Sequence, residues 1–172
     1  MKVTKISQDG IDLIKSFEGF SSKPYLCPAK IPTIGYGATF YPNGKKVTMS
    51  DKAITEAEAV DLLAHMLKSF EQYVDSYTRD DVSQHQFDAL VSFAYNLGPT
   101  SLKSSTLLKK VNTNPSDESI RAEFMKWVYS GDGSKNGVDD DLDGIIDEKG
   151  EKKRLKGLVR RREAEANLYF SK

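Results

Sequence analysis

The sequence predicts an α+β fold: a small sheet-bearing lobe at the N-terminus and a larger helical lobe behind it, joined by a long helix. Two patterns carry the prediction. Glycine- and proline-punctuated residues 24–48 read as a small antiparallel sheet, and apolar positions at helical spacing recur over most of the chain beyond Thr55. The longest of these helical runs, from Ala59 to Tyr77, covers roughly 30 Å at 1.5 Å per residue, enough to link two lobes.

Taken in order, Ile11, Leu13, Ile14 and Phe17 mark one face of a short helix that Gly19 terminates. Pro42-Asn43-Gly44 is a turn signal before Lys46-Val47-Thr48. Thr55-Glu56-Ala57-Glu58 has the form of a capping box and starts the connecting helix. Ser83 caps a helix with apolar positions Phe87, Leu90, Val91, Ala94 and Leu97, which ends at Gly98-Pro99. Ser104 or Ser105 begins another through Leu107, Leu108 and Val111; Asn114-Pro115 opens a segment running to about Tyr129; a last helix covers Lys156 to Tyr169. The expected organisation is one domain over 1–172: an N-terminal lobe over about 1–55, a connecting helix over 56–78, and a helical lobe over 79–172 interrupted by a polar insertion at 130–152.

Composition narrows the function. Formal net charge is zero, from 25 basic and 25 acidic residues. The charge is unevenly placed, with six acids in 139–148 and seven bases in 152–162. Such asymmetry points to local sites, and no nucleic-acid partner is expected. One cysteine excludes an intramolecular disulfide. No apolar stretch suits a signal peptide or a membrane span, so the expectation is a chain folded in the cytoplasm, with no membrane insertion.

Between Glu18 and Asp51 there is no acidic residue, so carboxylate chemistry in the first lobe rests on Glu18. Glu18 lies at the negative end of its helix between Phe17 and Phe20. Dipole and partial desolvation both disfavour its ionised form, as a general acid working near neutrality requires.

The run Ser16-Phe17-Glu18-Gly19, followed by Thr33-Ile34-Gly35-Tyr36-Gly37, resembles the catalytic signature of the phage-type lysozymes, glycoside hydrolase family 24. In that family a Glu closes the first helix, an Asp follows nine residues later, and a Thr begins T-I-G-x-G six residues after that. Glu18 and Thr33 stand at those positions; Cys27 occupies the Asp position. The resemblance continues through Gln86-Phe87-Asp88-Ala89-Leu90, Tyr95-Asn96-Leu97-Gly98, Ser105-Thr106-Leu107-Leu108, Phe124, Trp127 and Val128, and Gly157-Leu158-Val159 with Arg161, Arg162 and Glu165.

It implies a lysozyme-like fold and hydrolysis of the β-1,4 bond between N-acetylmuramic acid and N-acetylglucosamine in peptidoglycan. Glu18 would give the proton, Thr33 would help hold the attacking water, and no catalytic cofactor is needed. Cys27 is a weak base, a polarizable neighbour of the developing cation, or inert packing. Tyr36, Gly37, Tyr95, Asn96 and Ser105 are assigned to the sugar-binding cleft; the two tyrosines suit a core equally well, and Asn96 suits a helix end. The resemblance further implies an endolysin, expected to be a monomer, held in the host cytoplasm until a holin-type pore admits it to the periplasm or cell wall. Two rivals remain at this point: a lytic transglycosylase on the same bond, and a non-catalytic calcium-ordered wall-binding protein.

The basic run at 152–162 either attracts anionic wall polymers or pairs on its own helix with acids such as Glu163 and Glu165. The preceding acidic stretch fits D-x-D-x-D-G-x-I-D. Asp139, Asp141 and Asp143 alternate, Gly144 permits a sharp bend, Ile145 offers a backbone carbonyl, and Asp147 binds directly or through water. It resembles the calcium loops of EF-hand and dockerin proteins, although Gly150 stands at the twelfth position, leaving Glu148 or Glu151 to substitute. The expectation is one structural calcium ion in the 139–150 loop. Isothermal calorimetry with calcium should give a single binding event; no heat at millimolar calcium removes the site.

Overall fold

The computed structural model describes residues 2–27, 29–130 and 153–171. Helix α1 (Gln8–Glu18) turns Ile14 into the core and approaches α3 (Gln84–Leu97) closely at Gly10. A Cβ on Gly10 would lie 2.5 Å from Ile6 Cγ1 and 2.8 Å from Asp88 Cβ, so only glycine fits. Buried Asp88 of α3 anchors the start of α1: it accepts from the Ser7 backbone N–H at 2.9 Å and from the Ser7 hydroxyl. Gly19 ends α1 at φ +69°, a conformation that costs an L side chain energy, and Glu18 is thereby the last helical residue.

Strands β1 (Ser21–Leu26) and β2 (Pro32–Gly35) pair antiparallel, Tyr25 opposite Thr33 and Leu26 opposite Pro32, with an irregularity between Ser21 and Tyr25. This ladder is shorter than the sheet predicted over 24–48. Gly35 and Gly37, at φ +66° and +100°, bend the chain out of it, and beyond them only isolated bridges form, Ile34–Ala38 and Phe40–Lys46. The predicted turn is present, with Gly44 N–H donating to the Tyr41 carbonyl at 2.9 Å.

Helix α2 (Glu56–Tyr77) begins at the capping box of Thr55 and Glu58. It buries Leu62 against Ile34, Ala38 and Val47 in a small core under the sheet. Ala59, Leu63, Leu67 and Val74 join the main core. Helix α3 is the centre of that core, and every residue from Phe87 to Ala94 is buried. It packs against α1, α2, α4 and α7, so no face is left for water.

Two differences follow in the helical half. Pro99 at the first helical position starts a short α4 (Pro99–Ser104) where the sequence reading has a connection. After α5 (Thr106–Thr113), the helix predicted from Asn114-Pro115 to Tyr129 contracts to α6 (Ile120–Met125). The Asn114 and Asp117 side chains accept from the backbone N–H groups of Ser116 and Ser119, at 3.0 and 2.9 Å, and these local turns compete with helix. A two-residue ladder, β3 (Tyr129–Ser130) with β4 (Lys153–Arg154), leads into α7 (Lys156–Tyr169). The buried face of α7 carries Ala166 and Tyr169 but also Arg161, Arg162 and Glu165, all at most 4% exposed. Charge buried this deeply needs partners, and the partners lead to Glu18.

Candidate active site

Glu18 is held at the end of α1 by a residue 143 positions away. Arg161 Nη1 donates to Glu18 Oε1 at 2.6 Å, with the arginine side chain 5% and the glutamate 23% exposed. The same guanidinium sits 5.6 Å from the Phe17 ring centroid and sends Nε to Glu165 Oε1 at 3.3 Å. Glu165 is fully buried; it also accepts from the Ser92 hydroxyl at 2.8 Å and pairs with Arg162 Nη1 at 2.7 Å. Arg162 Nη2 donates to Asn96 Oδ1, and its guanidinium lies 5.0 Å from the Phe93 ring. Two carboxylates and two guanidiniums thus alternate from the groove into the core. Burial pushes Arg162 down to about 10 and Glu165 up, with the ion pairs opposing burial in both.

A groove of about 720 Å³ opens beside this chain of charges, lined by Glu18, Asn96, Phe17, Arg161 and the start of α7 at Lys156 and Arg160. Cys27, just past β1, and Thr33 on β2, buried at 3% exposure, belong to the hairpin and are not among the residues lining that groove. Cys27 N–H donates to the Ile31 carbonyl at 3.1 Å, which fixes the end of β1. The thiol is held below its ordinary range chiefly by the Ile31 backbone N–H, aided by the Ala29 N–H and the Thr33 hydroxyl, while burial opposes them. That hydroxyl has one hydrogen to give. It lies 2.9 Å from the Ile31 carbonyl and within reach of the sulfur, so it serves one or the other. Tyr25, opposite Thr33 in the ladder, is raised first by burial, and the charges of Cys27 and Glu18 add to the shift.

The residues assigned to the cleft divide. Tyr95 is raised first by burial and then by the Glu18 charge. Its hydroxyl donates to the Tyr36 carbonyl at 3.0 Å, clasping α3 to the loop after β2. Gly37 lies under that clasp, where an added Cβ would come 3.4 Å from the Tyr95 oxygen. Tyr36 is 4% exposed and donates to Glu56 Oε1 at 2.7 Å. Asn96 lines the Glu18 groove and accepts from Arg162. Ser105 is buried as the N-cap of α5, donating to the Leu102 carbonyl at 2.7 Å and accepting from Leu108 N–H at 3.0 Å. It borders a separate groove of about 550 Å³ with Leu97, Glu123 and Trp127.

Of the two sequence readings of the basic run, one pairs its arginines with acids of their own helix such as Glu163 and Glu165. Glu165 is such a partner, whereas Glu163 is exposed, and the link from Arg161 to Glu18 goes unforeseen. Its only signal in the sequence is a pair of arginines on the helix face that also carries Ala166 and Tyr169. The calcium residues Asp139, Asp141, Asp143, Ile145 and Asp147 lie outside the described residues. Among the described residues no group of three or more metal-binding side chains occurs.

The Cys27 environment makes a prediction with a definite sign. A depressed thiol loses its proton at lower pH than a free cysteine. An ultraviolet thiolate titration, with Cys27→Ser as the blank, should therefore show a midpoint below the value that the same thiol has in the denatured chain. A midpoint at or above that value contradicts the described contacts.

The pattern of the family described as Phage lysozyme matches residues 15–165. The endolysin of Bacillus phage B103 is 40% identical over 168 residues, covering 96% of this chain and 54% of that protein. The chain therefore spans about half the length of that relative. Among solved structures, an endolysin from Escherichia coli O157:H7 phage FAHEc1 superposes with a TM-score of 0.80 at 31% identity, covering 99% of this chain and 97% of that one. The muramidase domain of SpmX from Asticaccaulis excentricus gives 0.76 at 29% identity, covering 98% and 99%. With the predicted α+β architecture in place and the match running across nearly the whole fold, this chain belongs to the phage lysozyme family, a family of glycoside hydrolases.

Proposed function

We propose that this chain is an endolysin that hydrolyses the β-1,4 bond between N-acetylmuramic acid and N-acetylglucosamine in peptidoglycan, with Glu18 as general acid. The observation that carries the reading is the placement of Glu18: an acid at a helix end, lining an open groove, steadied by a buried guanidinium. The structural neighbour named as a muramidase domain supports the same substrate. In the reaction, the Glu18 proton passes to the bridging oxygen as the bond from that oxygen to the anomeric carbon breaks. A water held by the Thr33 hydroxyl forms the new bond from the opposite face and inverts the centre. The water's proton goes to the Cys27 thiolate, and exchange with solvent restores both groups.

The reading extends to the life of the enzyme. Among the described residues no helix is long and apolar enough to cross a membrane. We assign release from the host cytoplasm to a separate holin-type pore, followed by lysis from the periplasm or wall by a monomeric enzyme.

The test is clearance of permeabilised cells. Glu18→Gln should lower the rate by about 10²–10⁴-fold, the usual range for loss of a general acid. Clearance at the parental rate removes the proposed function. Mass spectra of the products should show water added at the new reducing end; a 1,6-anhydro terminus would instead mark transglycosylation.

A further inference from the structure

We infer that Glu165 is a positioning residue for the proton donor, its buried carboxylate holding the Arg161 guanidinium in the orientation from which Nη1 reaches Glu18. The inference rests on the assignment of Glu18 as the acid. Helical spacing makes the arrangement possible, since Glu165 follows Arg161 by four residues and Arg162 by three, so one carboxylate lies against both guanidiniums. One oxygen takes Arg161 Nε and the Ser92 hydroxyl while the other faces Arg162. Ser92 comes from the middle of the fully buried part of α3, so the carboxylate is referenced to the helix at the centre of the core. Arg161 Nη2, Arg162 Nε, Arg162 Nη1 and Glu165 Oε2 are buried without hydrogen-bond partners. Glu165 and Arg162 are thus joined by charge at 2.7 Å alone, while Arg161 is held by hydrogen bonds at Nε and Nη1.

Stability alone is a poor reason for this network. Buried ion pairs are often no better than apolar side chains of similar volume, because desolvation offsets the attraction. The same pairs do fix geometry, and the geometry fixed here ends at Glu18. Charge is balanced within the buried network, while Lys156 and Arg160 add positive charge along the groove that Glu18 lines. Glu18 and Glu165 face Arg161 and Arg162, and Tyr95 is the titratable group that α3 adds beside them. Helix α6, also packed on α7, pairs Arg121 with Asn167 and Glu123 with Lys110 and Lys126, so neither joins the group. From the sheet, Tyr25 lies within electrostatic reach of Glu18 and of Cys27.

The experiment compares Glu165→Gln and Ser92→Ala with the parent on purified peptidoglycan, with Glu18→Gln alongside. Glu165→Gln keeps the shape but leaves two guanidiniums facing one carboxylate. Its kcat should fall by about a hundredfold with KM within about twofold, the signature of a misplaced reacting group. The added positive field should move the alkaline limb of its rate–pH profile down by about one unit. Ser92→Ala keeps the charge and should lower kcat by a few-fold with the limb in place. The inference is overturned if folded Glu165→Gln has the parent's kcat and pH profile, or loses only thermal stability. Should Glu165→Gln fail to fold, Ser92→Ala with unchanged kcat overturns it by itself. An active Glu18→Gln would instead defeat the assignment of the acid.

Discussion

The fold converges on the Arg161 guanidinium. It is nearly excluded from solvent, it bridges the acid at the end of α1 to a carboxylate in the core, and it stacks near Phe17. A cation in that position would be costly without counter-charges. Their presence on both sides makes the last helix a fixture of the first. The chain's two ends meet here, and the groove exists because they do.

Helix α3 makes the meeting reproducible. Asp88 holds the start of α1, Ser92 holds Glu165, Tyr95 holds the loop after β2, and Asn96 holds Arg162. Asp88, Ser92 and Asn96 recur at four-residue spacing and Tyr95 follows Ser92 by three, so each contact is set by the same buried helix. Tyr95 and Asn96 are accordingly parts of the frame as well as neighbours of the acid. Tyr36 belongs to the frame as well, with its ring against Phe20 and its hydroxyl on Glu56.

Much of this is legible in the sequence. Capping signals at Thr55 and Ser83 mark α2 and α3, Gly19 marks the end of α1, and the acid-free stretch after Glu18 singles that residue out. Local rules suffice wherever local hydrogen bonds decide. They fail at Asn114 and Asp117, where side chains divert the backbone from helix, and after Gly35, where two positive-φ glycines end the ladder early. The Glu18–Arg161 pair is illegible for a different reason. Sequence periodicity shows which residues of α7 share a face, but not that this face meets the end of α1, and a buried arginine violates the pattern that identifies buried faces.

The most direct test of the account is the turnover number of Arg161→Ala on purified peptidoglycan, measured with its substrate affinity on a folded sample. If the guanidinium places the acid, kcat should drop by about a hundredfold while affinity stays close to the parent's. A folded Arg161→Ala enzyme that turns over at the parental rate would show that Glu18 needs no such support, and the account would fail at its centre.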